Sequence, residues 1–304
     1  MQQRFGIRRN LLSVVYATSV AASLLAVSYA SAGIVSSSTK PSDPPVASKF
    51  RVGRITAPQI PESSGIVASR KHAGVFWTHN DSDNPPSLFA ITRDGQLIRE
   101  YPVEAKNVDW EDIALDDAGH LFIADMGNNR RKRTEVQVYR VDEPDPRQPI
   151  HGRVPSLRVT RSWRLMYPDA PFDCESLFVW KGKGYVLPKR LSKSPAELLS
   201  FDLDSPARVQ TLKKVAEIPV MRAPVTAADI SADGNRLAIL TLAGPYIFDI
   251  NGDVESVGRA TARYSRYFDL HIEAVCFVPE GLLVTNEGRD VFLFRNEDFV
   301  EVNR

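Results

Sequence analysis

The sequence has few of the side chains that build transition-metal and thiol sites. It contains two cysteines and five histidines in 304 residues, and they do not occur in a zinc-ligand spacing. It also lacks the G-x-S-x-G elbow of esterases, the glycine-rich P-loop and the H-E-x-x-H motif of zinc proteases. These absences exclude a His/Cys zinc site and leave no motif for those three enzyme classes.

An excess of charge of either sign is absent as well. The chain has 38 Lys and Arg against 37 Asp and Glu, which gives a formal net charge of +1. A strongly basic balance would be expected if the whole surface bound nucleic acid or an anionic membrane. We therefore expect no nucleic-acid partner, and we expect a monomer that binds a small molecule or an envelope ligand.

Only one long apolar run is present, and it lies near the N-terminus. Three arginines precede an apolar stretch at about residues 11–27, and an A-x-A pattern ends at Ala32. This order is typical of a signal peptide, residues 1–32, so we predict a secreted or periplasmic protein without a membrane span after cleavage. Residues 33–48 are rich in Ser, Pro and Lys and predict a flexible leader, which leaves residues 49–304 as a single domain.

The main positive signal is an internal repeat. A small or acidic residue and an aliphatic residue begin each copy, and a turn, a second apolar strand and a polar cluster follow. The copies begin at Ser64-Gly65-Ile66, Glu111-Asp112-Ile113, Glu175-Ser176-Leu177, Ala228-Asp229-Ile230 and Glu273-Ala274-Val275. The steps of 47, 64, 53 and 45 residues match the period of four-stranded propeller blades.

Short apolar strands between Gly-containing turns, with little helical periodicity, predict an all-β protein. We predict a β-propeller of five blades, or six if the long second copy at residues 109–168 hides another. The last copy lacks an outer strand, so we expect residues 50–55 to supply it and close the ring. A weaker outer strand is expected at residues 209–218. Cys174 and Cys276 fall in non-adjacent blades and are predicted to be buried small side chains rather than a disulfide.

The first position of each copy is predicted to lie around the propeller axis. The ring residues are Ser64, Glu111, Glu175, Ala228 and Glu273. Carboxylates crowded in a medium of low dielectric constant either take up protons or bind a cation. An oxygen-only ligand set suits Ca²⁺ better than Mg²⁺ or Zn²⁺. We predict a Ca²⁺ site at the ring side chains other than Ala228, with the alternative that the glutamates only hydrogen-bond neighbouring blades.

A second tier of polar residues lies on the loops that leave the second strands. Asp125 or Glu287 is predicted to be a general base, and Lys189 is predicted to stabilise developing negative charge. The other residues of this predicted ligand face are Asn80, Asp81, Asn128, Arg130, Arg190 and His271. The alternative for the Asn and Asp residues is that they satisfy turn backbones, and for His271 that it packs structurally.

Several segments resemble signatures of a family of exported bacterial β-propellers that is similar to phytase-like propellers. These segments are residues 77–82, 109–114, 125–130, 225–231 and 273–274. A more distant resemblance is to five-bladed calcium-dependent apyrases, which place one Ser or Glu per blade around an axial calcium ion. Four ring residues match that pattern in order, and Ala228 departs from it where a Ser is expected. The resemblance therefore implies a calcium site that lacks one side-chain ligand.

Two classes of function follow from these observations. A cation beside Lys189 favours metal-assisted hydrolysis of a phosphoester, a phosphoanhydride or a lactone, so the substrate would be a small anionic or carbonyl compound. The alternative is a non-catalytic envelope protein that binds a ligand on the loop face, with a structural cation or none. The sequence leaves both open, because a fold does not determine an activity.

Overall fold

A computed structural model describes residues 49–191, 194–221 and 223–302. The described chain is built almost entirely of β-strands, with two short 3₁₀ helices at Val254–Arg259 and Asn296–Asp298. The strands form five sheets, so the predicted five-bladed β-propeller is confirmed. The predicted signal peptide and leader lie outside the described residues. Within those residues, no helix is long and apolar enough to cross a membrane.

The blades are numbered in chain order, and their strands are given from the axis outward. Blade 1 consists of Ser63–Ala68, Phe76–Asn80, Ser87–Ile91 and Leu97–Pro102. Blade 2 consists of Trp110–Leu115, His120–Asp125, Glu135–Asp142, Arg161–Met166 and Val209–Thr211. Blade 3 consists of Phe178–Trp180, Lys183–Val186, Ala196–Asp202 and Lys213–Ile218.

The last two blades use the two ends of the described chain. Blade 4 consists of Val225–Ile230, Arg236–Thr241, Gly244–Asp249, Thr261–Tyr264 and Val300–Glu301. Blade 5 consists of Ile272–Val278, Gly281–Asn286, Asp290–Arg295 and Arg51–Arg54. The outer strand of blade 5 is thus the first strand of the described residues, which confirms the predicted closure by residues 50–55.

The closing strand is held by charge and by aromatic packing. Arg54 pairs with Asp290 in the antiparallel ladder, and its Nη1 lies 2.7 Å from Oδ1 of that aspartate. The ring of Phe50 stacks on Phe294 with 4.4 Å between the ring centres. The N-terminal segment therefore joins blade 5 on both its edge and its apolar face.

The structure divides one predicted strand in two and decides between the alternatives of five and six blades. The segment 209–218 is not one strand: Val209–Thr211 runs parallel to the outer edge of blade 2, and Lys213–Ile218 pairs with blade 3. The long second copy contains no sixth blade, because its extra length is the connection before the outer strand Arg161–Met166. Neither feature changes the hydrophobic alternation, which is why the sequence pattern does not reveal it.

The core lies between the blades. Five apolar clusters fill the space between each pair of neighbouring sheets, including the pair formed by blades 5 and 1. Both faces of most inner strands are therefore buried, which accounts for their nearly continuous apolar sequences. Cys174 and Cys276 are free and buried in separate clusters, as predicted.

Candidate functional site

An acidic cavity of about 180 Å³ lies where the innermost strands of the blades begin. Its lining residues are Glu62, Ser63, Ser64, Asp81, Glu111, Asn129, Glu175, Lys189, Glu273 and Glu287. Six of these side chains are carboxylates, and one is a cation. The lining includes the four predicted metal ligands and, from the second tier, Asp81, Lys189 and Glu287. The structure therefore brings together seven of the predicted site residues.

Four innermost strands carry a β-bulge at the same position. In blade 1, Ser63 pairs with Asn80 and Gly65 pairs with His79, so Ser64 has no partner in the ladder. The same break in register occurs in blades 2, 4 and 5. The bulged residues are Ser64, Glu111, Thr226 and Glu273. A β-bulge changes the direction of the side chain that it carries. The same bulge in four blades therefore places these four residues at equivalent positions around the axis.

Blade 3 reaches the equivalent geometry with a side chain. Cys174 forms an isolated bridge with Pro188. The hydroxyl of Ser176 then accepts a hydrogen bond from the Leu187 amide at 2.9 Å and donates one to the Leu187 carbonyl at 3.1 Å. Glu175 lies between these two contacts, so it occupies the position of the bulged residues in the other blades.

The bulges correct the predicted ring residue of blade 4. The register break after Val225 leaves Thr226, and not Ala228, without a partner in the ladder. A shift of two residues keeps every side chain on the same face of a strand, so the sequence alternation is unchanged by it. Thr226 is fully buried, and its Oγ1 has no hydrogen-bond partner among the described residues. Thr226, a hydroxyl-bearing residue, thus occupies the bulge position of blade 4.

Two carboxylates that the sequence analysis did not single out belong to the site. Glu111, Asp173 and Glu175 each offer an oxygen within 4.8 Å of the other two, and so do Asp81, Asp109 and Glu111. Asp109 and Asp173 each precede a ring glutamate by two residues, so they share its face along an extended chain. The repeated acidic-x-Glu pattern was the signal that would have found them.

Gly127 gives the two inner acidic residues of blade 2 room to approach. A Cβ atom at this position would lie 2.1 Å from Oε1 of Glu111 and 2.4 Å from the carboxyl carbon of Asp109. The Gly127 amide also donates a hydrogen bond of 3.1 Å to the carbonyl of Asp109. The loop after the second strand therefore lies directly against the carboxylates, and a Cβ atom at Gly127 would force one or both of them to move.

Burial and mutual repulsion raise the pKa values of the ring carboxyl groups. Burial, and then the charge of Glu175, raise the pKa of Glu111 well above its usual value and that of Glu273 to about 9. Burial raises the pKa of Glu175 to about 8, although Lys189 opposes the shift. For Asp109, burial and the nearby Asp81 raise the pKa to about 6. Burial and mutual repulsion therefore favour the protonated form of these carboxyl groups, and among the described residues Glu111 and Glu273 have no ion-pair partner that opposes it.

Lys189 neutralises only part of the acidic cluster. Its Nζ lies 2.5 Å from Oε1 of Glu175. The other carboxylate oxygen, Oε2, is buried and has no hydrogen-bond partner among the described residues. Burial lowers the pKa of Lys189, but the charges of Glu175 and Glu273 outweigh it and keep the lysine protonated. A buried, unsatisfied carboxylate oxygen is costly and indicates a missing partner, such as an ion or a water molecule.

The structure places three predicted residues behind the cavity wall. Asp125 is fully buried, and its Oδ1 lies 2.9 Å from Nη2 of Arg133. The backbone N–H of Asn128 donates a hydrogen bond of 2.7 Å to Oδ1 of Asp173. The Asn80 side chain donates to a backbone carbonyl at 2.9 Å. These residues hold the loops that carry the lining acids, and none of them lines the cavity.

The remaining predicted residues lie at the rim or outside it. His271 is exposed, and its Nδ1 lies 2.8 Å from Oε2 of Glu287. Arg190 pairs with Glu197 at 2.5 Å and packs over the ring of Phe172, and it does not line the cavity. Arg130 is exposed and does not line the cavity. Of the two bases predicted, only Glu287 reaches the cavity.

No protein-family model matches the sequence, and no curated protein matches it either. Solved structures with a similar fold include Kuenenia stuttgartiensis Hydrazine Synthase, with 17% identity and a TM-score of 0.40 over 75% of this chain. Another is the Myceliophteria thermophila Cps50 (Swd1) β-propeller domain, with 13% identity and a TM-score of 0.40 over 78% of this chain. This chain spans 56% and 64% of those two chains. These likenesses concern the fold alone.

Proposed function

We propose that the protein is an exported five-bladed β-propeller that binds Ca²⁺ in its axial cavity and hydrolyses a small anionic or carbonyl substrate there. The observation that carries this proposal is the unsatisfied Oε2 of Glu175 in a buried cluster of carboxylates. The N-terminal sequence supports export, and the resemblance to exported, phytase-like propellers supports a phosphoester or phosphoanhydride as substrate. A lactone is the carbonyl alternative, in which the attacking water adds to the carbonyl carbon instead of to phosphorus.

The residues of the cavity fit a calcium ion. Ca²⁺ is bound by six to eight oxygens at about 2.3–2.6 Å, so its ligands lie within about 5 Å of one another. Glu111, Asp173 and Glu175 meet that spacing. The hydroxyl groups of Ser64 and Thr226 occupy equivalent ring positions in blades 1 and 4. The set contains no nitrogen or sulfur ligand, so it fits Ca²⁺ better than Zn²⁺.

The side chains around this site have separable roles in hydrolysis. Glu111, Asp173 and Glu175 would hold the Ca²⁺ ion, which would supply a Lewis acid for a substrate oxygen and for the attacking water. Lys189 places a fixed positive charge in the cavity wall, where it stabilises an oxyanion. Glu287 accepts the proton of the attacking water, and His271 orients Glu287 through the contact of 2.8 Å. Asp125 is a positioning residue in this proposal, because its carboxylate is paired with Arg133.

A thermal melt with CaCl₂ and then with EDTA tests the cation site. A ligand that binds only the folded state stabilises it by about 2.7 kcal/mol at a hundred times its dissociation constant. We expect a clear rise in Tm with calcium that is lost in Glu111→Gln and retained in Glu104→Gln, an exposed glutamate away from the cavity. The proposal fails if no divalent cation changes the Tm of the unmodified protein.

Turnover separates hydrolysis from a second candidate function, a binding protein with a structural cation. The ring residues come from all five blades, so a cation there would tie the propeller together without any reaction. The assay uses phosphomonoesters, nucleoside triphosphates and lactones. If the protein is a hydrolase, Lys189→Ala and Glu287→Gln lower kcat while calcium still raises Tm. Calcium binding without turnover of any of these substrates favours the binding protein.

A further inference from the structure

We infer that the protein has a second binding site, on the face opposite the acidic cavity, for a small organic anion that carries an aromatic ring. The site is a cavity of about 290 Å³ between blades 2 and 3, lined by basic side chains and by two tryptophans. This volume suits a small molecule. The site is independent of the proposed cation site, because the two cavities share no lining residue.

The turns after the innermost strands of blades 2 and 3 place this cavity on the opposite face. Residues 116–118 line it and follow the strand Trp110–Leu115, and Lys181 lines it and follows Phe178–Trp180. Both innermost strands begin on the side of the acidic cavity and end at these turns. A ligand of the second site therefore enters from the other side of the propeller.

The cations of the lining outnumber its carboxylates. Four Arg and Lys side chains and three aspartates line the cavity, and two of the aspartates already have a partner. Asp117 forms an ion pair with Arg70, and Oδ2 of Asp116 lies 2.8 Å from Nδ1 of His120. Asp204 is the lining carboxylate that remains to balance the other three cations, so the cavity keeps an excess of positive charge.

Those three cations make no ion pair within the part of the chain that the structure describes. Nη2 of Arg161 donates to a backbone carbonyl at 2.9 Å, and its guanidinium lies 5.1 Å from the centre of the Trp163 ring. Nε of Arg140 donates to a threonine hydroxyl at 3.0 Å. Nζ of Lys181 lies 5.5 Å from the centre of the Trp180 ring. A cation that stacks on a ring keeps N–H donors for the oxygens of a carboxylate or a phosphate.

The apolar part of the cavity suits an aromatic ring. Nε1 of Trp163 donates to the Leu203 carbonyl at 3.2 Å, and its ring centre lies 5.7 Å from that of Phe122. Trp180 is partly exposed, and a Cβ atom at Gly234 of blade 4 would lie 1.9 Å from its ring. Both indoles are therefore held in place before a ligand binds, which lowers the entropic cost of binding. A flat ligand ring complements them by stacked or edge-to-face contact.

Calorimetric titration in EDTA with 2-naphthoate, an aromatic carboxylate, tests the inference. Inorganic phosphate supplies the negative charge without the ring, and 2-naphthalenemethanol supplies the ring without the charge. We expect one 2-naphthoate per chain, bound at least about tenfold more tightly than either of the other two compounds, because the cations and the indoles contribute together.

Two variants locate the binding site. Arg161→Gln and Arg140→Gln should each weaken 2-naphthoate binding at least about tenfold, because each removes a charged hydrogen-bond donor. Arg158→Gln is the matched control, since it removes the same charge from an exposed residue that precedes the same outer strand and does not line the cavity. This control should bind 2-naphthoate as the unmodified protein does.

Each outcome of the titrations decides for or against the site. A dissociation constant for 2-naphthoate above about 1 mM, or equal affinity for the neutral alcohol, overturns the anion site. Equal affinity for inorganic phosphate overturns the role of the aromatic ring. If Arg161→Gln does not fold, Arg140→Gln decides the location, and unchanged affinity in that variant contradicts it. Calcium binding and turnover test the proposed function separately, so either proposal can fail while the other stands.

Discussion

At the scale of single residues, burial and mutual repulsion favour the protonated form of the ring glutamates. Glu273 shows this most clearly, because burial and the charge of Glu175 raise its pKa to about 9. None of the hydrogen bonds among the described residues ends on its carboxyl group. Protonation is therefore what relieves the repulsion between Glu273 and Glu175. A cation would replace that proton, which makes the response of Glu273 to substitution depend on calcium.

Glu273→Gln is therefore expected to have different effects with and without calcium. In EDTA at pH 7, a neutral glutamine replaces a neutral acid of nearly the same shape, so the free energy of unfolding should change by less than about 0.5 kcal/mol. With calcium, the lost charge should weaken binding at least about tenfold, which corresponds to about 1.4 kcal/mol. Urea unfolding in both buffers measures the two effects. An unchanged calcium response would remove Glu273 from the site.

At the scale of elements, the loop after the second strand of blade 2 shapes the site. Asp125, Asn128 and Arg133 fasten this loop from behind the cavity wall, and Gly127 faces the carboxylates. The contact between Gly127 and Glu111 is closer than any Cβ allows. The loop is thus built for contact with the bulged strand beside it, and its glycine is needed for packing space rather than for backbone conformation.

Gly127→Ala should push the carboxylates of Glu111 and Asp109 apart. Overpacking a tight contact costs about 1–3 kcal/mol of stability. Calcium affinity should also fall at least about tenfold, because the carboxylates of Glu111 and Asp109 would move. Gly288→Ala in the corresponding loop of blade 5 is the control, since the nearest atom there is 3.2 Å away on a side chain. Calcium titration of both variants makes the comparison. Equal affinities would show that the carboxylates tolerate the displacement.

The elements also show why the sequence predicted the fold more fully than the site. Turn residues, apolar strands and a period near 50 residues are local signals, so the five blades and the closing strand followed from them. A β-bulge has no such signal, because it changes the register without changing the alternation. For that reason, the ring residue of blade 4 was predicted at Ala228, two residues after Thr226, and segment 209–218 was not divided. Asp109 and Asp173 were overlooked because single aspartates in loops are common.

At the scale of the whole molecule, side-chain carboxylates bind backbone amides of other blades. Oδ2 of Asp112 in blade 2 accepts hydrogen bonds from Leu177 at 2.8 Å and from Ala228 at 3.4 Å, which links three blades. Asp229 in blade 4 accepts one from Phe277 in blade 5 at 2.8 Å. These contacts are polar ties near the axis, where the innermost strands of different blades meet, and they make the stability of the ring depend on pH.

Asp229 allows the sign of that dependence to be worked out. Burial raises its pKa from 3.8 to about 6 in the folded protein. Between these two values the folded chain holds a proton that the unfolded chain releases. Stability from this group is therefore present below about pH 4 and is lost as the pH rises through about 6. The loss amounts to at most about 3 kcal/mol, since each pH unit corresponds to about 1.4 kcal/mol.

Asp229→Asn should remove this dependence from global unfolding. The Asp229 carboxylate accepts hydrogen bonds from the backbone N–H groups of Ile230 and Phe277. The single amide oxygen of asparagine can accept only one of them, so the variant loses about 1 kcal/mol of stability at every pH. At pH 4 the variant should therefore be the less stable protein, and its deficit should shrink or reverse by pH 7. Urea unfolding in EDTA at pH 4, 5.5 and 7 measures this, with Asp169→Asn as an exposed control. A deficit that is constant with pH would show that Asp229 does not titrate in this range, and the pH dependence of the ring would then have to come from other groups.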